Sequence, residues 1–453
     1  MATSWETKDN KTFIFHLRKN AKWSNGDPVT ADDFVYSFGR VVDPKTASPY
    51  AWYIKMTRMK NAASIMQGKK KVSTLGAKAL DPLTLEIKLD KAVPYFIKMV
   101  AATAMKPVNK RVVEKWGDSW THAEHFVGNG AFVLKNWVIN ERIVLVPNEK
   151  YWDNSKTVLT KVTYLSLENS ESEMNRFFSG EIDITDSIPT EQFKRLQKEH
   201  PESLMIKGSL CSYYYSFNTK KPPFNAPRVR KAISYVIDRD VIANIIVGQG
   251  QKHSYFLTPE IVDGFSPELP EYGKITQKER NLLAQKLLKE AGYRAENPLT
   301  FSLLYNTDNK HKKIALAISA MWKKSLDVNV TLDNQEWKTY LATRQEGDFQ
   351  VARGAWCGDY NEASTFTSLM ISSNVNGGKH YKSKAYDKLI DAAQNAKTDK
   401  ERAKIYYQQE ALLTKDMPLA PIYQEVTTRL VNPRIGGYAT KNPEDRVFSK
   451  DIY

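Results

Sequence analysis

The rhythm of apolar and polar positions changes several times along the chain. Thr12-Phe-Ile-Phe-His-Leu-Arg18 and Leu85-Glu-Ile-Lys-Leu89 alternate with period two, which predicts strands with one buried face. Trp23-Ser-Asn-Gly-Asp-Pro28 has the composition of a turn. Thr30 follows as a helix cap with Asp33 at the third position, a capping-box variant. A Pro-containing helix is expected near Pro94 to Ala102, and residues 1–109 read as a small α+β unit. From about residue 110 the pattern becomes α/β. Strands are predicted at Ala131–Leu134, Ile143–Val146, Val162–Leu167 and Ile182–Ile184, with a helix from Glu171 to Ser179 closed by Gly180.

After Cys211 the alternation strengthens. Pro227 marks a helix start with Asn225 as its expected cap, and Val229–Ile237 has helical spacing. Lys278–Ala291 is an amphipathic helix closed by Gly292. Strands at Leu299–Tyr305, Val328–Leu332 and Phe349–Ala352 then alternate with helices at His311–Leu326 and Trp337–Arg344. That order predicts right-handed crossovers and a mostly parallel sheet, with ligands at the carboxyl ends of the strands.

The last of these strands leads into Arg353-Gly-Ala-Trp-Cys-Gly-Asp-Tyr-Asn-Glu362, read as a turn. Arg353, Trp356 and Asp359 supply a guanidinium, a flat ring and a carboxylate. A zwitterionic guest needs such groups: the acid for an ammonium, the arginine for a carboxylate, the ring for a side-chain wall. The segment is equally readable as a surface turn with a packed Trp and a solvated ion pair. Tyr213-Tyr214-Tyr215, Trp337 and Arg344 also fall near element ends. Singly, the aromatics read as core and the arginines as surface. Together they describe a cleft with aromatic walls and charged poles.

The chain has 453 residues, 42% hydrophobic and 26% charged, as expected of two or three globular domains. Its net charge of +15 raises nucleic acid as a partner, but the basic residues are dispersed and no nucleic-acid-binding signature is present. The expectation is therefore no nucleic-acid partner. The two cysteines, Cys211 and Cys357, exclude a C-x-x-C motif and leave either one long-range disulfide or two buried thiols. The N-terminus lacks a basic region followed by an apolar core. The most apolar window, Val93–Met105, is short and broken by Lys98, so the chain as written is expected to carry neither export signal nor membrane anchor.

No G-x-S-x-G elbow, P-loop or H-E-x-x-H motif is present. His122-Ala-Glu-His125 puts two imidazoles three apart, on one helix face if helical, without an evident third ligand. Cys357 could act as a nucleophile with His311 as its base, but no third residue is supplied to orient them. Gly128-Asn-Gly130 is a turn, too weak for a phosphate loop. The expectation is no enzyme, no cofactor and no metal.

The chain resembles the oligopeptide-binding proteins of bacterial ABC importers and their murein-tripeptide-binding branch. The matching stretches run nearly end to end. They include Leu17-Arg-x-x-Ala-Lys-Trp-Ser-Asn-Gly-Asp-Pro-Val-Thr-Ala-Asp-Asp-Phe-Val-Tyr36, Gly128-Asn-Gly-Ala131, Tyr151-Trp-Asp-Asn154 and Gly180-Glu-Ile-Asp183. Val229-Arg-x-Ala232, Ile237-Asp-Arg239 and Trp356-Cys-Gly-Asp-Tyr-Asn-Glu362 complete the set. The resemblance implies an α/β, two-lobed periplasmic-binding-protein fold with an additional smaller α+β domain at 1–109. Lobe one would be 110–210 plus 427–453, with its N-terminal part missing, and lobe two 211–426. It implies a periplasmic monomer that does not span the membrane. Such a protein holds a short extended peptide between the lobes and passes it to ABC permease subunits.

By the same resemblance Asp359 binds the peptide amine, while Arg353, Arg344 and His311 meet the carboxylate at different peptide lengths. Tyr50 and Tyr214 are hydrogen-bonding or pocket tyrosines, and Trp337 and Trp356 are pocket walls. Asn306 and Cys357 join the ligand-binding set, and Cys211–Cys357 is the implied disulfide. Three positions depart from the oligopeptide pattern. Val247 replaces a lysine for the peptide carboxylate, Ser216 a pocket glutamate, and Glu425 a pocket tyrosine. Tyr213-Tyr-Tyr-Ser-Phe-Asn-Thr219 and Ala420-Pro-Ile-Tyr-Gln424 read more like the murein branch, which usually lacks the cysteine pair.

Overall fold

The two alternating N-terminal segments pair with each other. In the computed structural model, which describes residues 1–453 other than 168, 373, 375, 376, 378, 379 and 440, they are the inner strands of a four-stranded antiparallel sheet. Its strands are β1 (Ala2–Glu6), β2 (Thr12–Leu17), β3 (Ala77–Asp81) and β4 (Thr84–Lys88), in the order β1-β2-β4-β3. Phe13 pairs with Ile87 and Phe15 with Leu85, so one face buries a continuous apolar row. The edge strand β1 is exposed along its length and lacks the alternation that betrays β2. In the helix Ala31–Val42 the Asp33 carboxylate accepts the Thr30 N–H at 2.9 Å, and Phe34, Phe38 and Val42 are buried. The Pro-containing helix is only four residues, Phe96–Met99. His122 and His125 do not share a helix; they follow a 3-10 turn, Gly117–Thr121.

Strands β5 (Phe132–Val138), β6 (Arg142–Pro147) and β7 (Val162–Leu165) form a three-stranded antiparallel sheet. The expected strand at Ile182–Ile184 reduces to an isolated bridge, Ile184 with Val431. The chain falls into two compact units. One comprises Met1–Ser172, Pro433–Ala439 and Arg446–Tyr453; the other comprises Glu173–Asn432 and Thr440–Asp445.

The second unit is built on six strands: β8 (Leu204–Phe217), β9 (Lys252–His253), β10 (Thr300–Asn306), β11 (Asn329–Gln335), β12 (Val351–Cys357) and β13 (Leu419–Leu430). Their order is β11-β10-β12-β8-β13-β9. Among the described residues, parallel pairing is confined to β11-β10-β12. The long strand β8 runs antiparallel between β12 and β13, and β9 is antiparallel to β13. The sheet is thus mixed rather than mostly parallel. The strand–helix alternation legible after residue 299 describes only its parallel half, because β8 and β13 reach it from distant sequence.

Both faces of this sheet are covered. Tyr213, Tyr215 and Phe217 point into a core with Ile314, Ile318 and Trp322 of the helix Asn309–Leu326. Tyr214 points the other way, into a cluster with Phe366, Leu369 and Tyr386. Three consecutive buried tyrosines are what a doubly covered central strand produces. The helix Pro227–Tyr235 is preceded by Ala226, not by an Asn225 cap, and Pro at its first position supplies the start.

Candidate binding site at the end of strand β12

Strand β12 is longer than the apolar run suggested. It pairs with β8 residue by residue from Val351 opposite Phe217 to Cys357 opposite Cys211. Arg353, Trp356 and Cys357 are therefore strand residues, and the chain turns only at Gly358. Because side chains alternate, Arg353 and Cys357 share one face while Gly354 and Trp356 take the other. Cys211 and Cys357 form a disulfide across the pair. Cys357 is thus not a free nucleophile for His311. Gly354 has a steric reason: a Cβ there would lie 2.4 Å from the Tyr214 ring.

The register of β8 against β13 breaks between Gln424 and Val426, so Ser209, Leu210 and Cys211 lie opposite Glu425 alone. The bulge frees the Leu210 backbone. Its N–H donates to the Pro443 carbonyl and its carbonyl accepts the Gly358 N–H, both at 2.7 Å. Asp359, next in sequence, is half-buried, and its N–H donates to Thr365 Oγ1 at 3.0 Å. Glu362 is buried and accepts from Arg402 Nε at 3.0 Å and the Tyr406 hydroxyl at 2.5 Å. The first half of the segment is therefore strand, not turn, and the ion pair made by Glu362 is buried, not solvated. Disulfide, bulge and buried ion pair hold the segment in place.

Tyr340 links Arg344 to Arg353 at this edge. Tyr340, buried on the helix Trp337–Glu346, donates its hydroxyl to the Arg353 carbonyl and lies 3.4 Å from Arg344 Nη1. Arg353 stacks on Tyr213, its guanidinium carbon 4.9 Å from the ring centroid. Its Nη1 is 3.4 Å from Asn306 Oδ1 at the end of β10, and its Nε has no hydrogen-bond partner among the described residues. Burial disfavours both charges, but Tyr340 and Tyr214 around Arg344, and Tyr213 and Tyr340 around Arg353, more than offset it. Both stay cationic. His311 is buried, with Nδ1 3.4 Å from the Tyr213 hydroxyl. Burial, reinforced by Arg353 and Lys310, pushes its pKa down to about 2, so the ring is neutral at physiological pH.

The structure thus brings Asn306, His311, Arg344 and Arg353 together around the tyrosines of β8. Trp356 packs on the cluster that contains Tyr214. Trp337 is 49% exposed and stacks on Tyr340 at 5.6 Å. Tyr50 belongs to the other unit, where it precedes the helix Ala51–Met56 and stacks on Trp52.

Two of the departures acquire structural meaning. Glu425 is paired with Lys310 at 3.1 Å and accepts from Tyr423, whose ring stacks on Tyr213 at 4.7 Å. Lys310 belongs to the basic run Lys310-His311-Lys312-Lys313, beside His311 at the start of the helix that follows β10. Ser216 lines a cavity of about 40 Å³ with Tyr214, Arg344, Phe349 and His380. Val247 is core, packed at the end of the short helix Ile242–Val247.

Cations and aromatic rings gathered near the strand ends of an open α/β sheet are groups from which a ligand-binding site is built. Residues 1–378 match the bacterial extracellular solute-binding proteins, family 5 Middle, and the chain belongs to that family of transport-associated binding proteins. It is 49% identical to the periplasmic oligopeptide-binding protein OppA of Salmonella typhimurium, over 100% of this chain and 84% of that protein. It is also similar to the solved structure of the Escherichia coli murein tripeptide binding protein MppA, with TM-score 0.95 and 45% identity over 100% of this chain and 89% of that one. The Haemophilus influenzae OppA complex with the peptide RPPGFSPFR gives TM-score 0.92 and 42% identity, with the same coverage. The two-lobed α/β fold class expected from the sequence is that of these neighbours. Among the described residues no helix is long and apolar enough to cross a membrane.

Proposed function

We propose that this chain is a periplasmic peptide-binding protein that captures short peptides and delivers them to an ABC permease. The observation that carries the reading is the array Arg344–Tyr340–Arg353 beside the rigidly held Cys357-Gly358-Asp359. In this reading Asp359 takes the peptide amine. Arg353, Arg344 and neutral His311 serve the carboxylate end with Asn306. Trp337, Trp356, Tyr214 and Tyr50 shape the side-chain pockets. Residues 1–109 form the extra domain, 110–210 with 427–453 lobe one, and 211–426 lobe two. The peptide binds extended, its backbone hydrogen-bonded as an added strand, with its side chains in roomy, wet pockets. The protein works as a monomer and needs no cofactor.

A second reading is murein-tripeptide capture. The likeness to MppA supports it, and so do two adjacent arginines that would neutralise the extra carboxylates of such a ligand. Native mass spectrometry of the purified protein, with released ligands sequenced, tests both. Mixed peptides of a few residues are expected for the general binder. A single species containing diaminopimelate would favour the murein branch. Release of only a sugar or a metal would overturn both.

A further inference from the structure

We propose that His122, Glu124 and His125 form a surface site for a divalent transition-metal ion of the Zn2+, Ni2+ or Cu2+ class. The three residues each place a ligand atom within 4.8 Å of the others. Both the His125 and Phe126 N–H groups donate to the His122 carbonyl, at 3.0 and 2.8 Å. That tight turn folds the fourth residue back beside the first, so both imidazoles emerge on one side although no helix is present. Their rings lie nearly parallel, 9° apart at 6.2 Å between centroids. Glu124, between them in sequence, has a carboxylate oxygen 3.8 Å from His122 Nδ1.

Two further contacts prepare His125 as a ligand. Its Nδ1 lies 3.0 Å from the Ser119 carbonyl, which can only accept. The proton therefore sits on Nδ1, and Nε2 presents its lone pair. A backbone carbonyl behind the distal nitrogen is the usual support of a metal-bound histidine. The same ring is stacked on Trp116, 3.6 Å between centroids and 13° from parallel, which fixes its plane. His122 and Glu124 are exposed and free to swing.

The donor set selects the ion. Two imidazoles and one carboxylate leave a fourth position for water, as in three-ligand zinc sites. Imidazole suits Zn, Ni and Cu, whereas calcium and magnesium demand oxygen ligands. With bonds of about 2.0–2.2 Å, tetrahedral donors stand roughly 3.4 Å apart, so the triad closes by about an ångström of side-chain rotation. Lys115, whose ammonium lies 4.7 Å from the Trp116 ring centroid, is the opposing charge nearby.

Isothermal titration of the full chain with ZnCl2 tests the site. One saturable ion is expected, and His122→Gln, Glu124→Gln and His125→Gln should each weaken uptake, the histidine variants by roughly tenfold or more. His16→Gln, which breaks a separate His–Glu pair, should leave uptake unchanged. CuCl2 should quench a part of the tryptophan fluorescence that disappears in Trp116→Phe. No saturable zinc uptake by the wild-type chain would overturn the proposal. So would uptake undiminished in the His122→Gln/His125→Gln double variant.

Discussion

His311 Nδ1 sits 3.4 Å from the hydroxyl of Tyr213, the same tyrosine on which the Arg353 guanidinium is stacked. The imidazole is thus buried between cations, with Asp308 3.6 Å away as the nearest acid. Its pKa falls from 6.5 to about 2, with burial as the main cause and Arg353 and Lys310 adding to it. The unfolded chain binds a proton below about pH 6.5 that the folded chain refuses. Stability is therefore untouched by this group above that pH and declines below it. The decline is at most about 1.4 kcal/mol per pH unit, continuing toward pH 2. Urea unfolding at pH 7, 6, 5 and 4 should show a shallower acid decline for His311→Gln than for the wild type. Identical slopes would mean that His311 is protonated in the folded state.

Asp359 follows the disulfide-held end of β12, and its position is fixed through Gly358 and Thr365. A carboxylate held in this way needs little reorganisation to meet an ammonium. Asp359→Asn should weaken binding of a free-amine tripeptide by at least about tenfold, which is about 1.4 kcal/mol. Binding of the N-acetylated tripeptide should change little. Calorimetric titration of both peptides against both proteins reads the difference. Equal losses for the two would assign Asp359 a structural role.

Gly354 leaves room for the Tyr214 ring and for nothing else. A methyl at 354 must push that ring, which is buried on its other side against the cluster containing Phe366 and Tyr386. Gly354→Ala is expected to cost about 1–3 kcal/mol of stability. Gly130→Ala, where the added carbon would meet nothing within 4 Å, should stay within about 0.5 kcal/mol. Chemical denaturation of both variants checks the contrast.

The disulfide joins residues 146 apart. Restricting so long a loop in the unfolded chain stabilises the fold by about 2–5 kcal/mol. The Cys211→Ser/Cys357→Ser double variant should unfold at correspondingly lower urea. It should also release the 353–362 segment to faster backbone amide exchange than the rest of the sheet. Unchanged exchange there would show that the bulge and the Glu362–Arg402 pair suffice to hold it.

Where burial is one-sided and periodic, the sequence disclosed the structure. Phe13, Phe15, Leu85 and Ile87 alternate and pair as read, and the stripe of Ile314, Ile318 and Trp322 marks its helix. The edge strand β1 was invisible because an exposed edge imposes no alternation. The reach of β12 was invisible for another reason. Arg353-Gly-Ala-Trp-Cys357 has turn-like composition, and only pairing with β8 makes it a strand. At the site, charged and aromatic residues near strand ends were legible. Lys310 opposite Glu425 and Tyr340 between the arginines were not, because both depend on contacts made across the fold.

Strand β8 carries Cys211, Tyr213, Tyr214, Tyr215 and Ser216 on one unbroken ladder with β12. A one-residue insertion between Cys211 and Tyr214 would exchange the two faces for every residue beyond it. Tyr214 would then stand where Tyr215 does now, opposite Arg353, while Cys211 kept its place opposite Cys357. Substitutions carry no such penalty, as Ser216 and, on the adjoining strand, Glu425 illustrate. Side chains on this strand change with its register intact, whereas a change in its length is either absorbed by a bulge or exchanges its two faces.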